Sequence, residues 1–253
     1  MIKLMALTSK ITVITVVYNN VSELQETIDS VSNQTYSNIE YLVIDGGSKD
    51  GTLDLIKENT KVIDNWISES DDGIYDAMNK GIHLATGDFV IFMNSGDKFY
   101  DAEVIFNVIH QSNMSADIIY GDHFTINSRA NDGRHNAKDV SDLKFGMICS
   151  HQSVFFRREL LTERGFSYDY GTAADYELIC YLNAKKAKFH KLKNIIISYY
   201  RAGGISDKKR IKSLYYAYKA FSDNLNCTFT VKLFYLWRFF VEFGKLFATL
   251  KKV

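Results

Sequence analysis

Phe89-Val90-Ile91-Phe92-Met93, entered through Gly87-Asp88 and cut off by Asn94-Ser95-Gly96-Asp97, is the stretch on which the fold turns. Five consecutive apolar residues between turn formers are too few for a buried helix and suit a strand covered on both faces. Earlier segments repeat the design. Ile11–Val17 is β-branched throughout and stops at Tyr18-Asn19-Asn20, and Ile39–Ile44 stops at Asp45-Gly46-Gly47-Ser48. Val62–Ile67 reads as a third strand or extended segment. Helical spacing fills the gaps: Leu24, Ile28 and Val31 with Ser22 as expected N-cap, a helix from about Thr52 to Lys57, and Ile74, Ala77, Met78, Ile82 and Ala85 on one face. Strands alternating with helices predict an α/β fold with a mostly parallel, doubly wound sheet flanked by helices. Ligands of such sheets sit outside the carboxyl ends of the strands. Asn19, Asp45 and Asp97 all follow strand ends, so they are expected to line one crevice.

The second half is less regular. Strands are expected at Asp117–Asp122, Ser153–Phe156 and Ile195–Tyr200, a polar loop at 127–136, and a helix at Asp175–Ala184. From Arg210 the chain reads as helical, interrupted near Asn224–Thr228. With no proline, repeat or low-complexity tract, nothing divides the body, so the expected organisation is one domain over 1–206 and a helical tail over 207–253.

The chain of 253 residues is 46% hydrophobic and 24% charged, enough to bury a full core. Its formal net charge of zero excludes a global basic field for nucleic acid. Charge is unevenly spread, however. Residues 207–253 hold ten Lys/Arg and three acids, so the tail carries +7 and the body −7. Cys149, Cys180 and Cys227 are scattered and odd in number, which reads as free thiols in a reducing compartment. No secretory signal is apparent at the N-terminus, and Val231–Leu250 is interrupted by Lys232, Arg238, Glu242 and Lys245, which disfavours a transmembrane span. A cytoplasmic protein is expected, with peripheral contact to the inner membrane as one use of the tail.

No GxGxxG follows the first strand and there is no Walker loop. A nucleotide diphosphate in this crevice would therefore need a divalent cation, and Asp97 at a strand end is its natural first ligand. Mg²⁺ is commonly held by one carboxylate plus substrate phosphates, and Mn²⁺ suits the same oxygens.

Taken in order, several segments resemble the family 2 glycosyltransferases with the GT-A fold, especially bacterial enzymes that build O-antigen, capsule or colanic-acid repeat units. They are Thr15–Asn19, Ser32–Thr35, Val43–Thr52, Glu69–Gly81, Gly87–Val90, Phe92–Asp97, His151-Gln152 and Ala174–Glu177. The resemblance covers roughly residues 11–206. It implies that Asp45 and Asp71 contact the nucleotide, with Asn19, Asn79 and Ser95 beside the donor. Asp97 matches the last acid of the family's metal motif, whose upstream acids are replaced here by Asn94, Ser95 and Gly96. Gly46 likewise stands where many relatives carry a second acid. Asp175 is the implied base, and His151, Arg201 and Gly204 are implied at the acceptor or diphosphate.

Blander readings stand beside these. Asp45 and Asp97 are good turn formers, Asp175 suits a helix N-cap, and His151 fits a packed core histidine. Arg201 with Gly203–Ser206 could be a lid or an ordinary loop, and Asn79 with Lys80 a solvated helix face. The resemblance implies a nucleotide diphosphate sugar, UDP-glucose or UDP-galactose first, as donor and a sugar on undecaprenyl diphosphate as acceptor. A non-catalytic nucleotide-sugar binding module and a sugar nucleotidyltransferase are the competing functions. For the basic aromatic segment 211–253, the membrane interface, packing on the body and a homodimer contact remain open.

Overall fold

The computed structural model describes residues 9–112, 115–126, 132–202 and 210–250, the last five of these in backbone only. Its residues fall into two compact units with interleaved sequence. The first takes 1–137, 149–166 and 188–201, and the second takes 138–148, 167–187 and 202–253.

The first unit is built on one sheet. Strands β1 (Ile11–Val17), β2 (Ile39–Asp45), β3 (Asn65–Ser68) and β4 (Phe89–Phe92) lie in the order β3-β2-β1-β4, all parallel. Helices α1 (Val21–Ser32), α2 (Thr52–Glu58) and α3 (Ile74–Leu84) make the crossovers. Every residue of β1 and β4 is buried, as apolar runs without alternation require. Beyond β4 the sheet changes character. Strand β8 (Val154–Arg157) runs antiparallel to β4 and to β6 (Ile118–Ile126). The long β9 (Phe189–Arg201) then pairs parallel with β6 and antiparallel with the two-residue β5 (Lys98–Phe99). Within the loop expected over 127–136, residues 133–135 form β7, which pairs with β6. Helices α4 (Val104–Gln111) and α5 (Arg158–Arg164) complete this unit.

Register decides what the carboxyl edge presents. Val17, Asp45 and Ser68 lie in one row across β1, β2 and β3. The loops that follow, 18–20, 46–51 and 69–73, therefore leave the sheet side by side. The turn after β4 joins them, because Ser95 N donates to the Val16 carbonyl at 3.1 Å. Helix α1 starts one residue before the expected Ser22 cap, with no side-chain cap of its own at Asn20. Its first amide, Val21 N, instead donates to the Asp50 carboxylate of the neighbouring loop at 3.0 Å, which ties two of these loops together.

The second unit is helical. Helix α6 (Ala174–Ala184) packs against α7 (Arg210–Asn224), and α8 (Phe229–Leu250) packs against α7 and the 3₁₀ segment Val140–Phe145. The interruption expected near Asn224–Thr228 separates α7 from α8. Polar groups inside this unit are paired: the Tyr176 hydroxyl donates to the Leu143 carbonyl, and Asn224 Nδ2 donates to the fully buried Glu177 at 2.9 Å. Gly171 breaks the turn before α6 at φ 46° and ψ −121°, and a side chain there would strike the Tyr216 ring of α7. The tail helices thus belong to the same compact unit as the segment that carries Asp175.

Candidate active site

Asp45 ends β2 fully buried. Ser48 Oγ donates to its Oδ1 at 2.5 Å and Ser68 Oγ to its Oδ2 at 2.6 Å, so the carboxylate organises the loop after β2 and the end of β3 at once. Asn19 adopts a left-handed φ of 47°, a conformation Asn tolerates, and is clamped to the same loop. Its amide donates to Ser48 Oγ at 2.7 Å and its side-chain oxygen accepts from Lys49 N at 2.9 Å.

Asp71 lies across from Gly46. A Cβ on Gly46 would collide with the Asp71 carboxylate and crowd the Tyr18 ring, so the missing side chain at 46 is the space that Asp71 fills. Lys80 of α3 steadies this loop, donating to the Ser70 carbonyl and the Glu69 carboxylate, each at 2.9 Å. Tyr18, 66% exposed, is a flat aromatic surface beside Asp71. Neither Tyr18 nor Lys80 stands out in the sequence as a site residue. Asn79, next to Lys80, spends both ends of its amide on the Phe166 backbone, at 2.8 and 3.0 Å.

Asp97 sits in the turn after β4, where Asp97 N donates to the Asn94 carbonyl at 2.9 Å. It is 6% exposed. Gln152 Nε2 donates to Oδ2 at 2.6 Å and the Arg201 backbone amide to Oδ1 at 2.9 Å. Burial pushes its carboxyl up to about 7, against the opposite pull of those two donors. Thr27 of α1 braces the turn from below, accepting from Gly96 N at 3.0 Å and donating to the Asp97 carbonyl at 2.8 Å. Ser95 is held by Asn20 Nδ2 at 3.2 Å. Gln152 is fixed in turn by Ser150 Oγ, 2.5 Å from Oε1.

Two expected residues turn their side chains to other partners. His151 is 8% exposed and stacks on Phe92 at 5.2 Å between centroids, edge-on to Phe166 at 5.7 Å. The Arg201 guanidinium pairs with Glu23 at 2.7 Å and Glu26 at 3.2 Å, both on α1. Gly204 lies outside the described residues. In the second unit, Asp175 falls in the first turn of α6, one residue inside the helix, so it is not the cap. An acid there still faces the positive end of the helix dipole.

Among the described residues no group of three or more His, Cys, Asp or Glu gathers to hold a metal. The turn nevertheless offers a carboxylate at Asp97 and a buried Asn94 Oδ1 with no hydrogen-bond partner. One carboxylate and one amide oxygen fit a hard cation whose remaining ligands come with a substrate's phosphates.

Residues 12–170 match the model of the family described as Glycosyl transferase family 2. The chain belongs to that family. A PGL/p-HBAD biosynthesis glycosyltransferase of Mycobacterium bovis is 30% identical over 207 residues, 78% of this chain and 80% of that protein. The glycosyltransferase GlyA of Streptococcus pneumoniae is 29% identical over 60% of this chain and 22% of its own. Among solved structures, residues 1–349 of Staphylococcus aureus TarS in complex with UDP align with a TM-score of 0.64 at 17% identity, over 83% of this chain and 65% of that fragment. The mannosyltransferase PcManGT from Pyrobaculum calidifontis, in complex with GDP-Man and Mn²⁺, aligns at 0.66 and 18%, over 85% of this chain and 64% of its own. This family 2 chain therefore has the GT-A fold and spans just under two thirds of each of these two solved chains.

Proposed function

We propose that this family 2 glycosyltransferase inverts configuration, moving a hexose from a nucleotide diphosphate sugar to a sugar acceptor on a lipid diphosphate in bacterial surface polysaccharide synthesis. UDP-glucose and UDP-galactose are the first donors to test; TarS with UDP and PcManGT with GDP-Man leave the nucleotide as the first variable. The observation that carries the reading is Asp97: a buried carboxylate in the turn after β4, gripped by Gln152 and the Arg201 amide, at the edge where the Asp45 and Asp71 loops leave the sheet.

In this reading Asp71 and Tyr18 meet the nucleotide, the carboxylate accepting N–H or O–H bonds and the ring covering a base. Asn19 and Asp45 act by shaping that loop. Asp97, with Asn94 Oδ1, would hold Mn²⁺ or Mg²⁺, which when bound neutralises charge on the departing diphosphate. The acceptor oxygen attacks the anomeric carbon, the bond from that carbon to the phosphate oxygen breaks, and Asp175 takes the acceptor's proton. General-base help of this kind contributes roughly 10²–10⁴-fold. An α-linked donor would yield a β-glycoside. A lipid-linked acceptor would place the enzyme at the cytoplasmic face of the inner membrane.

Turnover of a UDP-hexose panel with a synthetic lipid-diphosphate sugar, with and without Mn²⁺, tests the assignment. Asp175→Asn should bind donor normally and lose transfer at least a hundredfold, whereas Asp97→Ala should lose cation-dependent donor binding as well. Wild-type protein that binds donor without transferring sugar would be a binding module. Release of pyrophosphate would make it a nucleotidyltransferase.

A further inference from the structure

Helix α8 has two apolar faces, and only one of them is covered. Val231 and Tyr235 are buried in the second unit, and Glu242 shares that face at 9% exposure. On the opposite side Phe229, Leu233, Leu236, Trp237, Phe240 and Phe243 are between 45% and 72% exposed. At 100° per residue these six fall within about 120° of arc, a continuous stripe along the helix. Large exposed apolar patches on a soluble protein mark a binding surface. No helix among the described residues is long and apolar enough to cross a membrane, so the stripe does not belong to a span.

Charge decides among occupants. Glu242 is the only acid on α8, and it is turned away from the stripe and neutralised by Lys245 at 2.9 Å and Arg210 at 3.4 Å. Lys232, exposed, borders the stripe, and the segment 207–253 carries +7 in all. Two copies pairing through α8 would set basic tail against basic tail. A surface that is apolar in depth and anionic at its rim would satisfy both the rings and Lys232 and attract the basic segment as a whole.

We propose that the exposed stripe of α8 lies in the interface of an anionic lipid bilayer, with the helix in the membrane plane and its aromatic rings at the level of the headgroups. This holds whichever nucleotide and sugar the enzyme uses. The Lys232 stem reaches back to the headgroups, and Trp237 sits halfway along the stripe as an interfacial anchor.

Co-sedimentation of the full chain with phosphatidylglycerol/phosphatidylcholine vesicles, against phosphatidylcholine alone, tests the proposal. Wild type should partition to the anionic vesicles at least tenfold better, and added salt should weaken it. The double variant Trp237→Glu/Phe240→Glu changes only exposed side chains and should keep its melting curve while losing that partition. In a Trp66→Phe background Trp237 is the sole tryptophan, and its emission should shift to the blue on anionic vesicles. Absence of binding by wild type, binding unchanged in the double variant, or an unshifted Trp237 spectrum would each overturn the inference. So would a dimer, seen by light scattering and abolished by the double variant, that forms in place of vesicle binding.

Discussion

Asp97 shows how much neighbouring chemistry one carboxylate needs. Removed from water it would rather be neutral, and the Arg201 amide, the Gln152 amide, the charge of Arg201 and an arriving cation favour its charged form. Hydrogen bonds to charged groups are worth roughly 1.5–3 kcal/mol, so Gln152→Leu should weaken the cation-dependent part of donor binding by ten- to hundredfold. Titrating UDP with and without Mn²⁺ separates this from a general loss of fold, which would lower both curves. Gly46 supports a second expectation. Introducing an acid there, as Gly46→Asp, should loosen nucleotide binding, because the new side chain must displace Asp71. Calorimetry with UDP would read it; tighter binding in the variant would contradict the packing. The places of Asp45 and Asp97 after strands were legible in the sequence because acids after apolar runs are conspicuous, whereas Asp175 was picked out by the family resemblance alone. Gln152 acts on Asp97 across 55 residues, and only the His151-Gln152 pair hinted at it. Thr27 left no signal, since its hydroxyl matters only once α1 lies under the turn.

Elements explain where the sequence reading ran short. The parallel strands declare themselves as unbroken apolar runs, and β1, β2 and β4 lie within a residue or two of expectation. Strand β9 starts six residues before the expected Ile195, and Lys191, Lys193 and Asn194 break its apolar pattern there. Asn194 takes a φ of 60° close to a register shift against β6, a bulge that alternation cannot reveal. Glu40 is the charged residue inside β2, and its role is to staple strands. Its carboxylate accepts from Thr12 Oγ1 at 2.6 Å, Thr86 N at 2.7 Å and Lys10 Nζ at 2.9 Å. Burial alone would raise its carboxyl, but these donors outweigh it and hold it at about 2. A depressed acid stabilises the fold above the unfolded value and loses that contribution as pH falls through the folded one. The stability gap between wild type and Glu40→Gln should therefore be widest above pH 4.5 and close towards pH 2. Urea unfolding at a series of pH values would measure it.

Over the whole molecule, a body of 1–206 with an appended tail was the natural division of the sequence. The compact units instead interleave, and α7 packs on the helix that carries Asp175. Composition could not reveal this, because a helix rich in aromatic residues looks the same whether it covers its neighbour or faces a membrane. Cutting the chain after residue 206 should remove the support of α6 and abolish transfer, while UDP binding by the sheet-based unit survives. Activity and UDP affinity of the shortened protein, measured side by side, would test that; retained transfer would contradict it.

Because the segments of those units alternate along the chain, the order of synthesis matters. A nascent chain can finish its sheet when β9 leaves the ribosome, yet the scaffold around Asp175 waits for the helices translated last. A truncated translation product would thus be expected to hold nucleotide without spending any sugar.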